Sequence, residues 1–131
     1  MVSRFDVLNN SMKELTTREE QIMQAFWLLG KAFIRDVIPE LPDPKPHYNS
    51  VATIIKILEE KGFLAHETIG NVYAYYPTVP KEQYQRFAAK DFVSKYFDNN
   101  YASMLAFFAR EKKITREELS EIYKIIKNRK S

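Results

Sequence analysis

The residue pattern of this chain changes its period at Gly62, and that change limits the folds open to it. Before Gly62, apolar residues recur at helical spacing through Val51, Ile54, Ile55 and Leu58. After it come two β-prone runs, Phe63–Thr68 and Val72–Tyr76, separated by the turn sequence Ile69-Gly70-Asn71. The sequence therefore predicts a helix that ends near Lys61 and leads directly into a two-stranded hairpin.

Two earlier helices are predicted upstream. Thr16 and Glu19 have the spacing of a capping box, and Gly30 is placed to end the helix that they open. Its apolar face consists of Ile22, Met23, Phe26, Trp27 and Leu29. A second helix is expected from Ile34 to Leu41, where Pro39 must lie early or distort it.

Three prolines then separate the second helix from the third, because each disfavours helix in the residue before it: Pro42, Pro44 and Pro46. Asn49 or Ser50 is expected to cap the third helix. Three helices followed by a hairpin is the order of a winged helix-turn-helix, in which the third helix reads DNA.

The last third of the chain predicts three more amphipathic helices: Lys81–Phe97, Ser103–Arg110 and one opened by a capping box at Thr115. Such short helices cannot enclose a core of their own, so we expect a second copy of the chain to cover them. The candidate dimerisation residues are the apolar side chains Phe87, Phe92, Tyr96, Phe97, Leu105, Phe108, Leu119, Ile122, Tyr123 and Ile126.

The predicted architecture is mainly α with a small β-hairpin. It has three parts: a flexible leader at 1–14, a winged-helix DNA-binding domain at 15–80 and a helical dimerisation domain at 81–131.

Composition excludes several kinds of site. The chain has no cysteine and two distant histidines, so disulfides, thiolate metal sites and cysteine nucleophiles are excluded. We find no nucleophile–base pair, phosphate-binding glycine loop or metal ligand cluster, and we expect neither enzyme activity nor a cofactor. No apolar run suits a signal peptide or membrane span, so the chain is expected to be cytoplasmic and not inserted in a membrane.

The charge is unevenly distributed. Residues 1–80 carry eight Lys/Arg against ten Asp/Glu, whereas residues 81–131 carry twelve against seven. Any DNA-binding surface in the first part must therefore be a local patch.

The predicted patch lies on the polar side of the third helix, where Asn49, Ser50, Thr53 and Lys56 offer hydrogen-bond donors and one cation. The alternative is an ordinary solvated helix face. Tyr48 is equally consistent with a backbone contact or with the core, and Lys45 and His47 with phosphate contacts or with plain loop positions. On the hairpin, His66 and Asn71 are candidate contacts to an adjacent groove.

The order of these signals resembles the penicillinase and methicillin-resistance repressors, the BlaI/MecI family. The resemblance starts with the Leu15-Thr16-Thr17-Arg18-Glu19 segment and Trp27, and includes Arg35-Asp36-Val37. It continues through the run Tyr48–Leu64, the hairpin, and Thr115-Arg116-Glu117-Glu118-Leu119. It implies a homodimeric repressor on a palindromic double-stranded DNA operator.

Three departures qualify what the resemblance implies. In antibiotic-responsive members, a membrane sensor-protease triggers cleavage at an Asn-Phe bond in the penultimate helix, and the aligned pair here is Phe107-Phe108. Ala52 and Ile57 stand where relatives often carry basic residues. Copper-responsive relatives carry a C-terminal cysteine cluster that this sequence lacks. The alternative function is a winged-helix module that binds another protein.

Overall fold

The computed structural model describes residues 14–129, so all but the last residue of the predicted 1–14 leader lies outside the described residues. In chain order the elements are α1 (Thr17–Leu29), α2 (Ile34–Val37), a 3₁₀ turn (Ile38–Glu40), α3 (Tyr48–Glu60), β1 (Leu64–Ile69), β2 (Val72–Pro77), α4 (Lys81–Phe97), α5 (Tyr101–Arg110) and α6 (Arg116–Asn128). The fold is mainly α with a small β-hairpin, which confirms the predicted class.

The described residues divide into two compact units between Ala88 and Ala89: residues 14–88 are called unit 1 below and residues 89–129 unit 2. The division falls within α4, so its first two turns belong with the winged helix. The functional boundary predicted between residues 80 and 81 stays a prediction.

The first helix has the predicted ends. The hydroxyl of Thr16 accepts from the Glu19 backbone N–H, and the Glu19 carboxylate accepts from the Thr16 N–H, which completes the capping box. Gly30 ends α1 with a φ of 78°, a conformation that costs glycine little. On the predicted apolar face, Ile22, Met23 and Phe26 are fully buried, whereas Leu29 at the helix end is exposed.

Prolines set the boundaries of α2 and α3. Pro39 converts the end of the predicted second helix into the 3₁₀ turn, as its position required. The helix α3 begins as soon as the chain has passed Pro46, and His47 is its N-cap without a side-chain bond. The predicted cap at Asn49 or Ser50 was therefore wrong, since both residues lie inside the first turn.

The wing is an antiparallel hairpin, with Leu64 opposite Pro77 and Ile69 opposite Val72. Only Gly70 and Asn71 form its turn, and the φ of Gly70 is 64°. Ala32, between α1 and α2, adds a short third pairing that the sequence did not reveal. Its backbone N–H donates to the Tyr75 carbonyl at 2.9 Å, and the Tyr75 N–H donates back at 2.8 Å.

The core of unit 1 lies where α1, α3 and the hairpin meet. Val51, Ile55 and Leu58 on α3 are completely buried, as their spacing predicted. Tyr84 of α4 also belongs to this core: its hydroxyl accepts the Leu15 N–H at 3.0 Å, and its ring lies 5.8 Å from that of Trp27. Because the apolar side of α3 is buried in this core, the polar side of the helix faces solvent.

Candidate nucleic-acid interface

The polar face of α3 is exposed as predicted. Asn49, Ser50, Thr53 and Lys56 are all exposed. They lie opposite the buried side chains of the same helix, so the burial of Val51, Ile55 and Leu58 determines which groups face outward. This face could enter a groove of a double helix without disturbing the core.

Thr53 and Lys56 occupy the middle of that face. The Thr53 hydroxyl donates to the Asn49 carbonyl at 2.9 Å, which leaves its oxygen lone pairs open to an external donor. Within residues 14–129, Lys56 makes no ion pair or hydrogen bond, so its ammonium group is available to a phosphate. It is also the only Lys or Arg in α3.

The proline-rich loop before α3 holds Lys45 differently. Its ammonium group donates to the carbonyl oxygens of Pro39 and Leu41 and lies 3.5 Å from an Asp43 carboxylate oxygen. The N–H donors of Lys45 therefore bind carbonyl groups of its own loop, and the same donors would be needed for a phosphate contact. His47, two residues on, is exposed.

The wing places His66 beside α3. Its Nδ1 lies 2.5 Å from a Glu59 carboxylate oxygen, and its ring stacks on Tyr73 at a centroid distance of 4.1 Å. The bond to Glu59 uses one ring nitrogen, so contact with DNA through the other stays a prediction. Asn71 is exposed at the turn.

A depression of about 420 Å³ lies between the start of α2, the start of α3 and the wing. Its walls are Phe33, Ile34, Arg35, Tyr48, Asn71, Val72, Tyr73 and Tyr75. Tyr48 is 51% exposed, so it is a surface residue rather than a core residue. The depression joins two predicted contacts, Tyr48 and Asn71, and carries no carboxylate among its lining residues.

The phenol group of Tyr75, in the wall of this depression, stays protonated at neutral pH. Burial raises the pKa of Tyr75, and the negative charges of Glu59, Tyr73 and Tyr48, when ionised, raise it further. The Tyr75 hydroxyl is therefore a hydrogen-bond donor in the pH range in which DNA binding would occur.

Arg35 and Tyr73 line the depression but were not among the predicted site residues. Arg35 is exposed, and its guanidinium lies 5.2 Å from the centre of the Phe33 ring. The signal that could have located it is Asp36, which accepts the Phe33 backbone N–H at 3.0 Å and so marks the start of α2. Tyr73 could have been found from the two-residue period of β2, which puts it on the same hairpin face as Tyr75 and His66.

Several acidic side chains of unit 1 are engaged elsewhere. Glu19 pairs with Lys61 at 2.8 Å, and Glu67 pairs with Lys31 at 2.6 Å. Glu59 is bound to His66, as described above. Each lysine pair places a cation directly against a carboxylate, so Glu19 and Glu67 present little negative charge of their own to DNA, while the net formal charge of the winged helix is unchanged.

Unit 2 carries most of the predicted dimerisation residues. Phe92, Tyr96, Leu119, Tyr123 and Ile126 are exposed, and Phe97, Leu105, Phe108 and Ile122 are half-buried. On α6, the residues Leu119, Ile122, Tyr123 and Ile126 recur at helical spacing and form one apolar stripe. Among the described residues of unit 2, the structure buries only Val93 as a hydrophobic side chain.

The remaining predictions fall on α4 and α5. Phe87 packs partly buried against the core of unit 1, with its ring 5.8 Å from that of Tyr84, and its role in dimerisation stays a prediction. Phe107 is exposed and Phe108 is half-buried, and both lie inside α5.

Among residues 14–129 no helix is long and apolar enough to cross a membrane, and no group of three acidic or histidine side chains could hold a metal ion.

Known proteins resemble this chain over most of its length. The family model described as penicillinase repressor matches residues 15–128. The penicillinase repressor of Bacillus licheniformis is 24% identical over 123 residues, covering 90% of this chain and 93% of the relative. The methicillin resistance regulatory protein MecI of Staphylococcus aureus (strain N315) is 22% identical over 120 residues, covering 91% of this chain and 98% of the relative. A solved chain described as "CopR Repressor Structure" is 24% identical, covers 50% of this chain and 96% of its own length, and has a TM-score of 0.43.

Proposed function

This chain belongs to the penicillinase repressor family, and from that premise we propose that it is a DNA-binding transcriptional repressor acting as a homodimer on a palindromic operator. The observation that carries the proposal is the exposed polar face of α3, held outward by a fully buried apolar face. In a helix-turn-helix, side chains of this kind on the second helix of the motif contact base edges in the major groove.

The residues have separate roles in this proposal. Asn49, Ser50 and Thr53 contact base edges or phosphates, and Lys56 neutralises a phosphate. Tyr48, His47 and Lys45 flank the helix start as candidate backbone contacts, although Lys45 must first release its loop carbonyls. Asn71 and His66 extend the contact from the wing.

The homodimer is supported by the apolar stripe on α6. A helix that displays Leu119, Tyr123 and Ile126 to solvent loses the hydrophobic stabilisation that a partner helix would provide. A second copy presents the same stripe, so a two-fold axis satisfies both copies at once. Two linked winged helices then match the two half-sites of a palindrome and gain affinity from their linkage.

Relief of repression by proteolysis in α5 is part of the proposal, with a membrane sensor-protease as the partner. The bond between Phe107 and Phe108 lies inside α5, and the two rings have centroids 5.7 Å apart. Because a protease binds an extended chain, α5 must open locally before that bond can be cut.

The test is DNA binding by the purified full chain, measured by fluorescence anisotropy at several salt concentrations. One duplex carries the promoter region of the chain's own gene, which is the candidate operator, and the other has a random sequence. We expect tight binding to the first that falls steeply with salt, because phosphate contacts release counterions. Thr53→Val should make the free energy of operator binding less favourable by about 1–3 kcal/mol. Lys56→Gln should weaken both duplexes alike and reduce the salt dependence.

Lys90→Gln on α4 is the matched control, since it removes one exposed positive charge outside the winged helix. Salt-insensitive binding without preference for the operator would overturn the proposal. If, in addition, a protein partner bound equally well to the Thr53→Val and Lys56→Gln variants, the chain would instead be a winged-helix interaction module.

A further inference from the structure

We propose that the depression between α2, α3 and the wing binds the sugar-phosphate strand that separates the major groove from the adjacent minor groove, with Arg35 as its phosphate ligand. This proposal rests on the repressor function above and adds a contact from α2 to it. The occupant is the sugar-phosphate backbone of one DNA strand.

The position of the depression is the first argument. One wall is Tyr48, the first residue of α3, and the opposite wall contains Asn71 and Val72 at the tip of the wing. If α3 lies in a major groove and the wing tip reaches the next minor groove, the strand between those grooves must pass between them. The depression occupies that place.

Charge is the second argument. The lining contains one cation, Arg35, and no carboxylate. Within residues 14–129 Arg35 forms no ion pair or hydrogen bond, and its neighbour Asp36 is occupied with the Phe33 N–H. A guanidinium presents several N–H donors in a geometry that suits phosphate oxygens. Because α3 supplies only Lys56, a second cation from α2 adds substantially to the attraction for DNA.

The aromatic lining is the third argument. Tyr48 and Tyr73 are about half exposed, so their rings and hydroxyl groups are accessible from solvent. Ring faces pack well against the apolar side of deoxyribose, and phenol hydroxyls donate to phosphate oxygens. The Phe33 ring lies against the Arg35 guanidinium and restrains it, which lowers the entropy lost on binding.

The first experiment compares Arg35→Gln with Arg18→Gln in the full-length protein. Arg18 is an arginine of unit 1 on α1 that donates to Gln21 and does not line the depression, so the two variants lose the same charge. We expect Arg35→Gln to weaken binding to operator and random duplexes alike, by about tenfold at moderate salt. The slope of log affinity against log salt should fall by roughly one per protomer. Arg35→Lys should restore most of the slope, and Arg18→Gln should leave it unchanged.

The second experiment locates the phosphate. Operator duplexes carry a single neutral methylphosphonate at one position after another, and each is measured with wild-type protein and with Arg35→Gln. At the phosphate that Arg35 contacts, the methylphosphonate should weaken DNA binding by the wild type. It should leave binding by Arg35→Gln unaffected, because that variant has already lost the contact. Tyr48→Phe and Tyr73→Phe should each cost a few-fold in affinity at the same or an adjacent phosphate.

The outcomes separate the two proposals. If the wild type binds its operator in a salt-sensitive way but Arg35→Gln keeps the wild-type slope, the depression is not a strand site and the repressor function stands. The same conclusion follows if every methylphosphonate position that weakens binding by the wild type also weakens binding by Arg35→Gln to the same extent. If the wild type shows no salt-sensitive binding, the repressor function itself fails.

Discussion

Glu19 shows how one residue serves both a helix end and the core of unit 1. It is 5% exposed, caps α1 and accepts two hydrogen bonds from Lys61 Nζ, at 3.0 and 2.8 Å. Burial by itself raises the pKa of Glu19, but the bonds from Lys61 and from the Thr16 backbone N–H outweigh it, and the pKa lies below its usual value. The ionised form is therefore the one that stabilises the fold.

We predict that Glu19→Gln lowers the free energy of unfolding by about 1–2 kcal/mol at pH 7, since the amide keeps part of the cap but loses the charged pair. Urea denaturation measures it, and Glu20→Gln is the control. Glu20 is exposed on the same turn, so its change should stay within about 0.5 kcal/mol.

The pH dependence of this difference has a definite sign. A carboxyl whose folded pKa is lowered stabilises the protein above its unfolded pKa of about 4.3 and loses that contribution as pH falls through the folded value. The gap between wild type and Glu19→Gln should therefore be full above about pH 5 and shrink below pH 4. A gap that is constant down to pH 3 would contradict the role of the ionised carboxylate.

At the scale of elements, α3 is tied to the wing by side chains as well as by the chain itself. Glu59 on α3 bonds His66 on β1, and His66 stacks on Tyr73 of β2, so three elements are linked through one imidazole. This link should fix the angle at which the wing leaves α3, and with it the width of the depression that contains Arg35.

We predict that Glu59 and His66 are energetically coupled. In a double-mutant cycle of Glu59→Ala and His66→Ala, the coupling should be about 0.5–1 kcal/mol, reduced from that of a buried pair because both side chains are about one-third exposed. Unfolding free energies in urea provide the measurement. The same cycle with Glu60→Ala in place of Glu59→Ala should show no coupling, and strictly additive effects in the first cycle would refute the link.

The elements also show which features can be read from sequence. Local signals predicted α1, the wing and the capping box of Thr115 and Glu118, because caps, glycines and two-residue turns act within a few residues. The pairing of Ala32 with Tyr75 and the insertion of Tyr84 into the core depend on contacts 43 and 69 residues apart in sequence, and no local pattern encodes them.

The candidate site divides in the same way. The exposed side of α3 follows from its period, so Asn49, Thr53 and Lys56 could be assigned to the surface from sequence alone. The depression could not, because Arg35, Tyr48 and Tyr73 come from three segments that only the folded chain brings together. The internal bonds of Lys45 were hidden for the same reason, since its acceptors are carbonyl groups of the loop.

For the whole molecule, the proposed function requires that two winged helices act together, and this requirement can be tested apart from DNA contacts. The apolar stripe on α6 is exposed in the single chain, so polar substitutions there should cost the monomer little stability. The same substitutions would bury charge in a dimer interface, which is costly without a partner of opposite sign.

We predict that Leu119→Glu with Ile126→Glu converts the proposed dimer into a monomer of 15.5 kDa in sedimentation experiments at micromolar concentration. The control, Ser120→Glu with Asn128→Glu, adds the same charge to exposed positions outside the stripe and should remain dimeric. Operator affinity of the stripe variant should fall by at least about 100-fold, because the second winged helix no longer binds at a high effective concentration. Its affinity for a single half-site should be unchanged. A monomeric wild type, or a stripe variant that remains dimeric, would mean that α6 is not the interface and that tight operator binding has another origin.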